Sequence, residues 1–174
     1  MTEQQYKKAA KRTIEYFKQA GIVVTDQEKQ NITVFDFGLG DFENVGLELL
    51  VYVNTSRVCA KELVLFPYQA CVEHLHPTMN GIAGKEETFR CRWGKAYLYV
   101  PGEPARNIKA KIPATMKDHI TVFHEIELLP GQQYTLCPDT RHWFQAGPEG
   151  AVISEFSTTN TDHIDQFTDP RIKR

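Results

Sequence analysis

From Ile32 onward, the chain is a succession of short runs in which apolar and polar residues alternate. Alternation with a period of two is typical of β-strands that bury one face, and turn residues such as Pro67 and Pro130-Gly131 separate the runs. Many short strands after an N-terminal helix predict an antiparallel sandwich or barrel. The predicted strands cover residues 32–37, 45–54, 58–66, 70–76, 88–93, 95–100, 119–128, 133–137, 142–145 and 151–157.

The connections between these runs are also predicted. We expect a hairpin at Gly94, because this glycine separates two strand-like runs. Residues 101–117, which contain three prolines and several lysines, predict a loop, and residues 158–174 predict a polar tail.

The first 31 residues predict helices instead of strands. Apolar residues recur at spacings of three and four along residues 5–20, and Gly21 is suited to end that helix. Thr25 and Glu28 have the spacing of a capping box, which predicts a second, short helix. With 174 residues, of which 41% are hydrophobic, we expect one domain over residues 1–174. It would have a helical segment at 1–31 and a β-barrel with a C-terminal tail at 32–174.

Charge and hydropathy exclude several partners. A formal net charge of -2 provides no basic excess for phosphates, so we expect no nucleic-acid or membrane partner. No apolar run approaches the roughly 18 residues of a membrane span, and the N-terminus lacks the apolar segment of a secretory signal. We therefore expect a cytoplasmic protein. Its cysteines, without a Cys-x-x-Cys motif, predict reduced core residues. They are Cys59, Cys71, Cys91 and Cys137.

Three histidines and one glutamate form a candidate metal site. His74 and His76 are two residues apart on a predicted strand, so their side chains point to one face. Glu87 follows after a loop, and His142 lies in a later strand-like run. The inward faces of adjacent barrel strands can bring these side chains together. Such a mixed nitrogen and oxygen set suits Mn, Fe, Co, Ni or Zn. The remaining histidines predict structural roles; they are His119, His124 and His163.

This set resembles the motifs of the cupin superfamily. The first cupin motif has His-x-His, a later Glu, and then six residues followed by Gly, which Glu87 and Gly94 reproduce. The second cupin motif has Gly, then Pro after a stretch of residues, and then His, which Gly131, Pro138 and His142 resemble. The resemblance implies a mainly β fold, the double-stranded β-helix or jelly-roll barrel. Tyr68 departs from the pattern, because it stands where the motif has a leading glycine.

Longer segments resemble the small bacterial D-lyxose isomerases. The resemblance implies a manganese-dependent aldose–ketose isomerase, an intramolecular oxidoreductase of carbohydrate metabolism, which interconverts D-lyxose and D-xylulose, with D-mannose and D-fructose as a related pair. It implies a cupin barrel, a homodimer, and Mn²⁺ or another divalent ion such as Co²⁺ held by the four candidate ligands. The similar segments are residues 51–55, 61–67, 73–77, 84–92, 142–147 and 167–174.

The candidate ligands also suggest a mechanism. Four ligands leave two positions of an octahedral ion for neighbouring sugar oxygens, and the ion can then stabilise a cis-enediolate. In strict alternation Glu155 shares a strand face with apolar Ile153. This position fits either an inward base in low dielectric or an exposed strand residue. We predict that Glu155 moves the proton between C2 and C1 and that Lys85 assists at the oxygen. Arg90 and Asp165 are predicted to bind sugar hydroxyls.

Other functions remain open at this stage. A cupin phosphosugar isomerase would need a cationic phosphate pocket, for which Lys109, Lys111 and Lys117 are candidates. A non-haem iron oxygenase would use an overlapping ligand set. A non-catalytic cupin would bind a sugar beside a structural metal. Residues 169–174 are predicted to close over the pocket or over a partner subunit.

Overall fold

Two α-helices precede the sheet in the computed structural model, which describes residues 1–172. Helix α1 spans Glu3–Gln19 and α2 spans Asp26–Gln30. Helix α1 begins before the predicted residue because Thr2 and Gln5 form a capping box that satisfies free backbone N–H groups. The predicted capping box of Thr25 and α2 is confirmed. No helix in the described part of the chain is long and apolar enough to cross a membrane.

The remaining elements of residues 1–172 are strands and two short 3₁₀ helices. The 3₁₀ helices span Lys117–His119 and Asp162–Ile164. The strands are β1 (Thr33–Phe35), β2 (Leu47–Asn54), β3 (Cys59–Leu65), β4 (Ala70–Leu75), β5 (Glu87–Val100), β6 (His124–Leu128), β7 (Gln133–Leu136), β8 (His142–Ser157) and β9 (Gln166–Phe167).

The two longest strands, β5 and β8, hold the barrel together. They pair antiparallel with each other along most of their length. The second half of β8 also pairs with β3, which continues to β2 and β1, while its first half pairs with β4, which continues to β9. Strand β5 likewise pairs with β7 along its first half and with β6 along its second. This curled sheet confirms the predicted mainly β barrel with an N-terminal helical segment.

The predicted hairpin at Gly94 is wrong. Strand β5 continues through this residue, and β8 likewise continues through the gap predicted between residues 145 and 151. Gly94 has φ of 71° and lies where the β5–β8 register shifts. A Cβ atom at Gly94 would lie 2.1 Å from the carbonyl oxygen of Gly150. The glycine therefore permits a bulge and a close strand contact, not a turn.

The strand predicted at residues 119–128 begins only at His124. Just before it, the N–H groups of Thr121 and Val122 donate to the buried carboxylate of Glu73. The carbonyl oxygen of Val122 accepts a hydrogen bond from the indole of Trp143. Because side chains satisfy these backbone groups, this segment packs against the barrel without forming a ladder.

Three apolar clusters of described residues pack on the sheet, one of them around Tyr99 and Trp143. The barrel interior holds Phe89, Leu98 and Ile153, whereas Phe17 of α1 packs with Leu50 on the outer face of the sheet. Three of the four cysteines are buried and reduced as predicted, but Cys137 is exposed. That prediction is wrong for Cys137 because this residue follows the end of β7, where the chain leaves the sheet. The proposed division of the chain at residue 31 stays a prediction, and Lys173 and Arg174 lie outside the described residues.

Candidate metal centre

The three motif histidines meet at one end of the barrel. His74 lies in β4 directly opposite His142, the first residue of β8, and His76 follows β4 by one residue. One ring nitrogen from each histidine lies within 4.8 Å of the others, and all three side chains are buried. Glu87, the first residue of β5, is also buried beside them. The structure thus brings all four candidate ligands together, although their role as ligands stays a prediction.

Two backbone carbonyl oxygens, each on the side of a ring that faces away from the cluster, fix the orientation of two of these imidazoles. His74 Nδ1 donates to the carbonyl oxygen of Val72, and His142 Nδ1 donates to that of Thr140, both at 2.9 Å. A carbonyl oxygen can only accept, so each Nδ1 carries the proton and each Nε2 directs a lone pair toward the cluster. This is the arrangement in which a histidine binds a metal ion through Nε2.

The contact between His142 and Glu87 tests whether a cation fits the cluster. Nε2 of His142 lies 3.0 Å from Oε1 of Glu87, yet this buried nitrogen makes no hydrogen bond to any described residue. When His142 is protonated on Nδ1 alone, its Nε2 and Oε1 of Glu87 are both acceptors. Their close approach is then unfavourable unless a cation lies between them. Oε1 of Glu87 also lies 3.2 Å from Nε2 of His76. These donors therefore fit a divalent ion such as Mn²⁺.

Burial and neighbouring charges perturb the ionisation of these groups. Burial, together with His142 and His76, holds the pKa of His74 well below its ordinary value, so this ring stays neutral. Burial also disfavours the charged form of His76, but hydrogen bonds with Asp165 and Glu87 raise its pKa to about 9. Burial opposes ionisation of Glu87, but Lys85 and the histidines hold its pKa well below its ordinary value. The carboxylate is therefore available as a ligand.

A charged wall lies beside the cluster. Nζ of Lys85 lies 2.8 Å from Oε2 of Glu87 and 3.0 Å from Oε1 of Glu155. Glu155 faces inward and is 4% exposed, which decides between the two orientations left open by the sequence. Lys61 and Asp162 complete this wall, and sequence reasoning missed both. Lys61 could have been found by the signal that indicated Glu155, a charged residue on an otherwise apolar strand face.

An aromatic wall faces the same cavity. The ring of Phe167 in β9 lies 5.8 Å from that of His74, and the ring of Phe37 lies 6.4 Å from that of Phe167. The cavity therefore combines ionic groups with apolar surface, as binding sites for small polar molecules commonly do. Its apolar lining consists of Phe35, Phe37, Leu47, Leu49, Leu63, Cys71, Phe89, Phe144 and Phe167.

The two predicted sugar-binding residues are placed differently. Asp165 lines the cavity, and its carboxylate accepts a hydrogen bond of 2.6 Å from Nδ1 of His76. Arg90 instead points to the outer face of the barrel and donates to Gln133 at 3.0 Å. Its neighbours Phe89 and Cys91 face inward, so strand alternation turns Arg90 away from the cavity. The structure does not bring Arg90 to the site, which corrects that prediction.

The other histidines lie apart from the cluster. Nδ1 of His124 contacts the carbonyl oxygen of Glu103, and Nε2 of His119 lies 3.9 Å from Asp169. His163 is exposed in the second 3₁₀ helix. Each position is consistent with the structural role predicted for it.

Comparison with solved structures places this barrel in a known fold class. The Cellulomonas parahominis L-ribose isomerase matches with a TM-score of 0.79 and 14% identity, over 99% of this chain and 94% of that one. The Acinetobacter sp. DL28 L-ribose isomerase in complex with L-ribose matches with the same TM-score and coverage and 12% identity. At these identities the likeness shows the fold, which is the cupin-type barrel of sugar isomerases.

Sequence comparison identifies the family within this class, although no family model matches the chain. The D-lyxose/D-mannose isomerase of Thermosediminibacter oceani is 60% identical over 168 residues, 97% of this chain and 93% of the relative. The D-lyxose ketol-isomerase of Cohnella laeviribosi is 55% identical over 170 residues, 98% and 93% respectively. That of a Thermofilum species is 55% identical over 174 residues, 100% and 97% respectively. The chain belongs to the D-lyxose isomerase family, which confirms the resemblance and its classification as an enzyme.

Proposed function

We propose that the protein is a divalent-metal-dependent aldose–ketose isomerase that interconverts D-lyxose and D-xylulose, with D-mannose and D-fructose as a second pair. One observation carries the proposal: three candidate ligands and the Lys85–Glu155 pair line the same cavity, and the fourth candidate ligand, His142, is buried against the other three. The names of the 55–60% identical relatives support the same sugars.

The metal site would consist of His74, His76, Glu87 and His142. The two acceptor atoms that approach to 3.0 Å support a cation at this place. We propose Mn²⁺ as the resident ion and Co²⁺ as a substitute, because three imidazoles and a carboxylate suit both ions. When bound, the ion supplies Lewis-acid polarisation of the sugar carbonyl.

Glu155 would move the proton that the isomerisation requires. Its carboxylate takes the proton from C2, and the C–H electron pair becomes the C1=C2 bond of a cis-enediolate while the carbonyl electron pair moves to O1. The hydroxyl proton of O2 passes to O1, the C1=C2 electron pair takes the same proton back from Glu155 at C1, and the O–H electron pair of O2 forms the carbonyl at C2. The ammonium group of Lys85, which contacts Glu155 at 3.0 Å, would donate hydrogen bonds to the oxygen that gains negative charge.

The phosphosugar alternative has less support. Lys109 pairs with Glu125 and Glu127 on β6, at the opposite end of β5 from Glu87. The ammonium of Lys111 lies 3.6 Å from the ring centre of Tyr68. Lys117 is exposed in the first 3₁₀ helix. These lysines do not line the cavity of the histidine cluster, so they do not form the phosphate pocket that this alternative needs.

The first experiment measures ketose formation by metal-free protein reconstituted with Mn²⁺, Co²⁺ or Fe²⁺. D-lyxose, D-mannose and a phosphosugar are the substrates. We expect Mn²⁺-dependent ketose from D-lyxose. Turnover of only the phosphosugar would contradict the proposal, as would oxygen consumption with Fe²⁺ or sugar binding without turnover.

Two histidine variants provide the matched comparison. His142→Ala is expected to lose Mn²⁺ and ketose formation together, because it removes a ligand. His124→Ala, outside the cluster, is expected to keep both. Equal loss in the two variants would contradict the proposed ligand set.

We further propose a homodimer, with the cytoplasmic location left as a prediction. Sedimentation is expected to give a mass of about 40 kDa, twice the 19.9 kDa of one chain. A mass near 19.9 kDa would contradict the dimer.

A further inference from the structure

Lys61 is buried where a lysine is rarely found. It lies on the inner face of β3, with 3% of the residue exposed, and its neighbours on that face are Leu63 and Leu65. Lysine is almost never fully buried unless it is paired, because removing its charge from water is costly. Its ammonium group must therefore be paired with opposite charge inside the cavity.

The contacts of Lys61 point to Glu155. The two residues face each other directly across the β3–β8 ladder, and Nζ of Lys61 lies 3.4 Å from Oε1 of Glu155. The same ammonium donates to Oδ2 of Asp162 at 3.0 Å. Lys85 contacts Glu155 and Asp162 from another side. Two ammonium groups thus hold two carboxylates in a closed arrangement.

Charge balance explains why one lysine is insufficient. Lys85 contacts three carboxylates: Glu87 at 2.8 Å, Glu155 at 3.0 Å and Asp162 at 3.3 Å. A divalent ion would balance two carboxylates, that of Glu87 and that of Asp165 behind His76, so the carboxylates of Glu155 and Asp162 and the two lysines remain. Without Lys61, Lys85 alone would face both Glu155 and Asp162, and one buried carboxylate would lack a counter-charge.

We propose that Lys61 is a positioning residue for the isomerase reaction, which holds the Glu155 carboxylate in place and oriented for proton transfer. This inference rests on the proposed function. Lys61 acts through Glu155, because its ammonium contacts Glu155 and Asp162, whereas Lys85 also reaches the ligand Glu87.

A double-mutant cycle tests the proposal. Lys61→Met and Lys61→Arg are made in the native chain, and Lys61→Met is also combined with Glu155→Gln. Steady-state kinetics with D-lyxose and Mn²⁺ are measured for each. We expect Lys61→Met to lower kcat by roughly tenfold or more while KM changes by less than about threefold. Lys61→Arg should restore most of kcat, since it keeps the charge. In the Glu155→Gln background, Lys61→Met should change kcat by less than about twofold.

The control is Lys18→Met, which removes an exposed lysine from α1 and is expected to leave kcat unchanged. A second readout does not depend on turnover. Infrared difference spectra between each chain and its Glu155→Gln counterpart isolate the carboxyl band of Glu155. In Lys61→Met, this band is expected to shift in frequency, because the carboxylate loses its contact with the ammonium of Lys61 and keeps only that with Lys85.

Several outcomes would overturn the proposal. Native kcat in Lys61→Met would do so, and so would an equal fractional loss with and without Glu155, because Lys61 would then act independently. Failure of both Lys61→Met and Lys61→Arg to fold would assign Lys61 a purely structural role. If the native chain forms no ketose with any metal while the infrared band responds as expected, the proposed function fails and Lys61 is only a charge partner of Glu155.

Discussion

At the scale of single residues, the candidate site depends on the group that accepts a hydrogen bond from Nδ1 of each histidine. Carbonyl oxygens hold Nδ1 of His74 and His142, but a carboxylate, that of Asp165, holds Nδ1 of His76. Such outer partners orient a ligand and raise its basicity. Asp165 therefore supports the cluster, whereas the sequence had suggested only a contact with sugar hydroxyls.

Replacement of Asp165 distinguishes these two roles. Asp165→Ala is expected to weaken Mn²⁺ binding by about 10- to 100-fold, because His76 loses the group that orients it. Isothermal titration of metal-free protein with Mn²⁺ measures this change. Unchanged Mn²⁺ affinity with a raised KM for D-lyxose would instead favour sugar binding by Asp165.

Tyr68 shows why the cupin motif has a glycine at its position. This tyrosine has φ of 60°, in the left-handed region that costs residues other than glycine roughly 1–2 kcal/mol. We expect Tyr68→Gly to change the free energy of unfolding by less than about 1 kcal/mol, whereas Tyr68→Val should lower it by about 2 kcal/mol, because β-branched residues tolerate positive φ poorly. Chemical denaturation measures both, with Tyr134→Val on exposed β7 as the control. Equal effects of Gly and Val would contradict this explanation.

At the scale of elements, the segment after β8 completes the site. Its residues Asp162, Asp165 and Phe167 each contact or line the cavity, and β9 pairs with β4. The sequence showed only a polar tail here, because a two-residue strand has no periodicity to detect. In contrast, the pair His74 and His76 could be found from its spacing, since strand alternation fixes which side chains share a face, and Glu87 could be found from its resemblance to the cupin motif.

Glu73 connects this segment to the barrel. Its buried carboxylate accepts hydrogen bonds from Thr121, Val122 and Thr168. Glu73→Ala is expected to lower the free energy of unfolding by roughly 3 kcal/mol or more, because it leaves buried N–H groups without an acceptor. Chemical denaturation measures the loss, and hydrogen exchange should accelerate at Thr121 and Val122. The comparison variant is Glu86→Ala, which is exposed. Equal stability of both variants would contradict the role assigned to Glu73.

At the scale of the whole molecule, features that depend on contacts between distant strands could not be predicted from the sequence. The mainly β barrel, the positions of most strands and the N-terminal helices follow from local patterns, whereas the choice between the inward and the exposed orientation of Glu155 needed the structure. The continuity of β5 and β8 does not follow from such patterns, because the bulge at Gly94 depends on the approach of Gly150 from another strand. Likewise, Asp162 is recognised as part of the site only when Lys61 and Lys85 are seen beside it.

The outer layer between α1 and the sheet holds a carboxyl group that makes stability depend on pH. Glu48 is fully buried, one of its oxygens has no hydrogen-bond partner within residues 1–172, and burial raises its pKa well above the ordinary value. The folded chain then keeps a proton that the unfolded chain releases above the ordinary glutamate pKa. Stability is therefore lost as pH rises from that ordinary value to the raised one.

Glu48→Gln removes this dependence. We expect the variant to be more stable than the native chain at neutral pH, with a difference that shrinks as pH falls toward the ordinary pKa of glutamate. Urea denaturation at a series of pH values measures it, and Glu15→Gln on the exposed face of α1 is the control. A difference that stays constant with pH would contradict the assignment.

During synthesis on the ribosome, the placement of the candidate ligands imposes an order of events. Glu87 and His142 are the first residues of two long strands, and Asp165, which supports His76, follows the second of them. A nascent chain that ends just after β4 offers His74 and His76 but neither Glu87 nor His142. Nearly the whole barrel must emerge before the complete set exists. Under the proposed metal-dependent function, the finished protein and not the emerging chain would select the ion, which would protect the site from early capture of a tightly binding but unsuitable ion.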